Sequence, residues 1–162
     1  LTAHTIRQSE HPAWQTRLMV DPPSLASASL GGLWPQRLER RVQKGRSLGD
    51  RLANAMADAP RGAVMFIGTD APGLRKGMIL QASRNLGRNA AVFGPASDGG
   101  FWLFGVSYDL RTPDLFRNVR WSSPHAMEDV RSNLPHDTRI TLLRQLTDID
   151  TWRDWQLYKQ SQ

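Results

Sequence analysis

Three groups of residues in this 162-residue chain have the types and spacing that chemistry needs. The first is the stretch Phe93-Gly94-Pro95-Ala96-Ser97-Asp98-Gly99-Gly100-Phe101-Trp102-Leu103-Phe104-Gly105, a polar, glycine-rich elbow with one carboxylate between two apolar runs. Gly99 and Gly100 permit positive φ and a close approach of another group to the backbone. Asp98 is then a candidate catalytic carboxylate. Asp-Gly is also a hairpin signal, so local chemistry leaves a ligand loop and a tight turn both open. The second group, Gly68-Thr69-Asp70-Ala71-Pro72, follows the apolar run Ala63-Val64-Met65-Phe66-Ile67. Asp70 thus falls at the carboxyl end of an expected strand. A carboxylate there can hold Mg²⁺ or Mn²⁺, which favour oxygen ligands and share them with substrate phosphates. It can equally be a turn aspartate that binds its own backbone. The third group is Thr147-Asp148-Ile149-Asp150-Thr151. Asp148 and Asp150 alternate, so on an extended segment both face one way. Thr151 opens a final helix that one of them can cap, but capping does not account for two aspartates.

The elements expected to position these groups alternate between strands and helices. Residues 1–9 read as the end of a helix, 14–20 as a strand stopped by Asp21-Pro22-Pro23, and 22–36 as a loop rich in Ser, Pro and Gly. A short strand is expected at 38–43. Ser47-Leu48-Gly49-Asp50 has capping-box spacing, and the helix it starts should run to Asp58 with Leu48, Leu52, Ala55 and Met56 on its inner face. The continuous apolar run 63–67 predicts a central strand buried on both faces. Helices are expected at 75–86, 124–134 and 151–158, and strands at 90–93, 101–106 and 140–143. This alternation gives an α/β class with a mostly parallel sheet under helices on both faces, in one domain over residues 1–162. Ligands in such sheets bind outside the carboxyl ends of the strands, where the three groups fall.

Composition narrows the function classes. A chain of this length buries roughly 70% of its unfolded surface and needs no covalent staples. The sequence has no cysteine, which excludes disulfides, thiolate metal sites and a cysteine nucleophile, and points to a cytoplasmic protein. No apolar run approaches the ~20 residues of a membrane span. The formal charge of +6 suits anionic partners. Much of the excess lies in Arg37, Arg40, Arg41, Lys44 and Arg46, without interleaved aromatics, which reads as a solvated face and argues against nucleic acid. The four histidines lack metal spacing, and neither a nucleophile elbow nor a Walker or dinucleotide fingerprint is present. Trp102, Trp121, Trp152 and Trp155 read as core or lid aromatics.

In order along the chain, Leu48-Gly49-Asp50-Arg51-Leu52, Phe66-Ile67-Gly68-Thr69-Asp70-Ala71-Pro72, the elbow from Gly94 to Leu103, Phe116, Trp121-Ser122-Ser123 and Asp148-Ile149-Asp150-Thr151-Trp152-Arg153-Asp154-Trp155 resemble a bacterial glycosyltransferase-A-like family, the radical-SAM/selenodomain-associated transferases. The resemblance spans about residues 40–155. It implies a three-layer α/β/α nucleotide-diphospho-sugar transferase fold, Rossmann-like in its sheet. It also implies relatives that move a sugar from a nucleotide sugar or a nucleotidyl group onto a phosphate. In such relatives a carboxylate after a central strand and one near the domain's end hold the metal, which by motif makes them Asp70 and Asp150, aided by Asp148.

The chain departs from the pattern at three places. The family opens with a strand and a basic, glycine-containing phosphate loop, so roughly 30–40 residues (one βα unit) are expected before Leu1. Lys44-Gly45-Arg46-Ser47 replaces a more acidic Gly-x-Gly-Asp, which bears on nucleotide selection, and Phe101 stands where tyrosine is common. The reading is a transferase that binds a nucleotide sugar with Mg²⁺ or Mn²⁺ and a small-molecule acceptor. Asp98, Gly99, Gly100, Trp121 and Ser122 would line the acceptor side, and Arg46, Arg51 and Thr69 would meet the nucleotide. One alternative is a nucleotidyltransferase that joins a nucleoside triphosphate to a phosphorylated acceptor. Another, of a different class, is a non-catalytic nucleotide-binding or scaffold protein.

Overall fold

The computed structural model describes residues 1–28, 31–32, 34–149 and 156. The elements are α1 (Thr2–Ser9), β1 (Arg17–Val20), β2 (Glu39–Val42), α2 (Leu48–Ala57), β3 (Val64–Ile67), α3 (Lys76–Asn85), β4 (Ala90–Pro95), β5 (Phe101–Val106), α4 (Ala126–Ser132) and β6 (Arg139–Leu142). Short 3₁₀ turns lie at Pro23–Ala26, Tyr108–Leu110 and Pro113–Phe116. The mixed α/β class read from the sequence is the one observed. The expected helix at 151–158, with Asp150, Trp152 and Trp155, lies outside the described residues.

β1 and β2 pair in parallel, Arg17 opposite Glu39 and Val20 opposite Val42. The other four strands form a sheet in the order β3-β5-β4-β6. β3, β4 and β6 run one way and β5 runs against them, because β4 and β5 are the arms of a hairpin. The elbow is therefore a hairpin, and its arms are the two most buried strands.

The apolar run 63–67 is not a central strand buried on both faces. β3 is half-buried along its length and sits at one edge of the four-stranded sheet, where β5 alone pairs with it among the described residues. The hairpin puts β5 between β3 and β4, so β4 and β5 take the fully buried interior.

The sheet's two faces carry separate cores. On one, Ala91, Phe93, Phe104 and Val106 pack with Met56 of α2, Leu115, Phe116, Val130 of α4 and Leu134. On the other, Val92, Trp102 and Leu103 pack with Leu74, Ile79 and Ala82 of α3, Leu143 and Leu146. Side chains of a regular strand alternate between faces, yet Trp102 and Leu103 are consecutive and share one. A register shift between β4 and β5, where Pro95 pairs with Phe101 and Gly94 with Leu103, supplies the extra residue that makes this possible.

α2 begins as expected. Ser47 Oγ accepts from Asp50 N–H, and the Asp50 carboxylate accepts from the backbone of Ser47 at 3.0 Å and Arg46 at 3.2 Å. These bonds, led by the backbone one from Ser47, hold the Asp50 carboxyl below the ordinary carboxylate range. Leu48, expected inward, is exposed, while Gly49 is buried. A Cβ at Gly49 would stand 3.0 Å from Trp121 Nε1 and 3.1 Å from the Phe116 carbonyl, so the helix docks through its glycine and turns Leu48 outward.

Candidate functional site

The three groups singled out in the sequence meet at one end of the sheet. The loop after β3 brings Asp70, whose neighbours Ala71, Pro72 and Leu74 are buried and anchor it. The tip of the β4–β5 hairpin brings Ser97 and Asp98, both exposed. The segment after β6 brings Asp148. Backbone bonds tie the three together. Leu146 N–H donates to the Pro95 carbonyl at 3.0 Å, and Ala96 and Leu146 form a parallel bridge. Ile149 N–H donates to the Asp70 carbonyl at 3.0 Å, and Gly68 N–H to the Trp102 carbonyl at 2.9 Å.

Among the side chains, Ser97 Oγ donates to Asp148 Oδ1 at 2.8 Å. Asp98 Oδ1 accepts from Gly100 N–H at 2.8 Å, an Asx turn that closes the hairpin tip. Asp70 as a residue keeps much of its surface. Its carboxyl nevertheless has a raised pKa, first because the surrounding loops desolvate it, then because Asp148 and Asp98 repel its charge.

A second set of contacts fixes the segment 117–125 against the hairpin. Met127 N–H donates to the Gly99 carbonyl at 3.1 Å. Gly99 has φ +89°, and a Cβ there would overlap the backbone of Pro124. Trp121 lies 6.3 Å, centroid to centroid, from both Phe101 and Phe116. Ser122 is exposed at φ +55° beside it. Arg120 clamps the segment to α4, donating to Asp129 from its backbone N and from Nε at 2.9 Å and from Nη2 at 2.7 Å. Those bonds drive the Asp129 carboxyl far below the ordinary range.

The proposed nucleotide residues are placed less uniformly. Thr69 is exposed beside Asp70, and Arg46 is exposed just before α2. Arg51 is already engaged, with an ion pair to Asp21 at 3.2 Å and 3.4 Å bonds to Gln43 Oε1 and the Gly45 carbonyl. It fastens the loops after β1 and β2 to α2. The basic run is likewise largely occupied within the chain. Arg37 pairs with Glu10, Arg41 with Glu39 and Lys44 with Asp58, while Arg40 donates to the carbonyls of Leu25, Ala28 and Trp34.

Asp70 and Asp148 offer hard oxygen donors that suit Mg²⁺ or Mn²⁺, which take one or two carboxylates plus phosphate and water rather than a full protein cage. No group of three or more His, Asp or Glu able to hold a metal is found among the described residues. Asp150 is outside them. Sequence reasoning gave no role to Ser97, although it sits inside the elbow, nor to Arg120 and Asp129, whose pairing has no sequence signature.

No helix among the described residues is long and apolar enough to cross a membrane. The profile of a bacterial family of uncharacterised proteins, DUF2064, matches residues 5–123. No curated protein matches the chain. Among solved structures, a putative nucleotide-diphospho-sugar transferase from Desulfovibrio desulfuricans G20 is similar, with TM-score 0.70 and 28% identity. The match takes in 88% of this chain and 62% of that one, so the chain spans less than two thirds of the relative's length.

Proposed function

The chain belongs to the bacterial DUF2064 family, and on that premise we propose that it is a transferase acting on a nucleotide-diphospho-sugar, with Asp70, Asp98 and Asp148 at its reactive end. The observation that carries the proposal is the convergence of the loops after β3, β4 and β6, which bring Asp70, Asp98 and Asp148, at the carboxyl end of the sheet. The similarity to a protein described as a nucleotide-diphospho-sugar transferase supports the same substrate class.

Asp70 and Asp148 are the carboxylates to hold a divalent cation, and Asp150 is a further candidate by its motif. Mg²⁺ or Mn²⁺ bound there supplies Lewis-acid neutralisation of a diphosphate leaving group. Asp98 has Oδ1 committed to Gly100 N–H, which leaves Oδ2 to accept a proton from an acceptor hydroxyl. Gly100, which donates to Asp98, is proposed to line the acceptor side together with Trp121, packed on Phe101, and Ser122. Arg46 and Thr69 are exposed and placed to meet nucleotide phosphate, whereas Arg51 shapes the loop that carries Arg46.

Thermal unfolding with Mg²⁺ or Mn²⁺ plus a panel of nucleotide sugars, against the same metals with nucleoside triphosphates, tests the reading. Ligand that binds the native state raises Tm in proportion to the logarithm of its concentration over Kd. Nucleotide sugars should stabilise in a metal-dependent way. Stabilisation by triphosphates alone would replace this reading with nucleotidyl transfer, and stabilisation by neither would leave a scaffold protein.

A further inference from the structure

We propose that the outer surface of α1 and α3 docks on an anionic bilayer, which it meets by charge and without inserting. Residues 1–9 and 71–97 contain Arg7, Arg75, Lys76, Arg84 and Arg88 and no Asp or Glu. Arg139 joins them, its Nη2 donating to the Arg88 carbonyl at 3.1 Å. These six cations equal the net charge of the whole chain, +6, so the remaining residues balance one another.

The fold gathers them in one helical layer. Leu74, Ile79 and Ala82 seat α3 and its entry on the sheet, and α1 lies beside α3, where Gln8 Oε1 accepts from Lys76 N–H at 2.8 Å. Arg7, Arg75, Arg84, Arg88 and Arg139 are exposed and Lys76 is half-buried. Among the described residues none of the six forms an ion pair, whereas Arg37, Arg41 and Lys44 of the basic run are paired with Glu10, Glu39 and Asp58. Asp109 lies near the Arg88 end of the layer and offsets part of its charge there.

The chemistry of the face selects its partner. α1 and α3 carry no aromatic residue, so the bases of a single strand find nothing to stack on and a protein partner finds no aromatic anchor. Two helices side by side, each about 10 Å across, make a layer too broad for the ~12 Å major groove of a duplex. A headgroup surface asks only for cations spread across the contact. Each Lys or Arg within a Debye length of an anionic bilayer strengthens partition by about fivefold.

The test is cosedimentation of the 162-residue chain with vesicles of phosphatidylcholine, alone or mixed with phosphatidylglycerol, at low and high salt. Wild type should bind the mixed vesicles at low salt, leave them at high salt and ignore phosphatidylcholine. The triple variant Arg7→Gln, Lys76→Gln, Arg84→Gln should lose about 100-fold in partition. Arg84→Glu alone, at an exposed position that folding tolerates, should lose about 30-fold. A control triple, Arg37→Gln, Arg41→Gln, Lys44→Gln, removes the same formal charge elsewhere and should stay within about threefold of wild type. Equal losses in the two triples would make net charge, not this face, the cause and overturn the proposal. Absence of binding to the mixed vesicles by wild type overturns it as well. So does tighter binding to a DNA duplex than to the vesicles that the first triple abolishes, which would assign the face to nucleic acid.

Discussion

Gly94 lies directly against the indole of Trp102, so close that a Cβ at Gly94 would overlap the ring. Trp102 is fully buried, and its Nε1 donates to the Arg144 carbonyl at 3.1 Å. The shift in register between β4 and β5 swings the indole across the neighbouring strand, and only a residue without a side chain lets it lie flat there. Gly94→Ala should therefore overpack this face and cost about 1–3 kcal/mol. For a domain of this size that lowers Tm by about 2–4 °C per kcal/mol. A Tm equal to wild type would show that Trp102 has room to move.

Asp70 gives the site a pH signature. Its pKa is raised in the folded chain by desolvation and by repulsion from Asp148 and Asp98. The folded state then binds more protons than the unfolded state between the ordinary aspartate pKa and the raised one, so stability falls as pH climbs through that window. Asp70→Asn should remove this slope and raise Tm at neutral pH without metal, while abolishing metal-dependent stabilisation. Parallel Tm profiles for the two proteins between pH 3 and 7 would contradict this assignment.

The Arg120–Asp129 clamp has the opposite sign. Asp129 is held well below its ordinary pKa by the side chain and backbone of Arg120. Its contribution is present above the unfolded pKa and is lost as pH falls through the folded one. The pair is solvent-accessible, so its weight in stability is small and screened by salt. Its geometric effect falls on Trp121, the next residue. Asp129→Asn should leave the neutral Tm within about 2 °C of wild type while shifting the near-ultraviolet circular dichroism of Trp121. An unchanged spectrum would show that the aromatic contacts alone hold the segment.

Arg111 ties α2 to the start of β3. Its guanidinium donates to the carbonyls of Met56, Ala59, Pro60 and Gly62, and it lies over the Tyr108 ring at 5.5 Å. Met56 is in the last turn of the helix, where its carbonyl also accepts from Ala59 N–H at 3.3 Å, and the other three carbonyls belong to the turn that follows. Lysine is a point charge and does not reproduce the planar fork. Arg111→Lys should cost about 1.5–3 kcal/mol in urea unfolding with an unchanged m-value. Loss of less than about 0.5 kcal/mol would show that water satisfies those carbonyls.

The sequence by itself determined the local features whose causes are local. Ser47 and Asp50 form the expected capping box because the bonds span three residues. Asp98-Gly99-Gly100 closes a hairpin because Asp98 can bind the Gly100 amide and Gly99 can take positive φ. The apolar runs at 90–93 and 101–106 became the buried strands because their composition leaves no polar face. The alternation of strands and helices was enough to place Asp70 and Asp98 at strand ends.

Tertiary structure decided everything that depends on which strand neighbours which. The run 63–67 is as apolar as an interior strand, but the hairpin's insertion of β5 put it at an edge. Ser97 and Asp148 are 51 residues apart, and nothing in either segment marks them as partners until β4 and β6 pair. The glycines of the elbow also changed meaning. In the sequence they read as openings for a substrate. In the fold Gly94 admits Trp102 and Gly99 admits Pro124, because close packing fills with the chain's own atoms the space a missing side chain leaves.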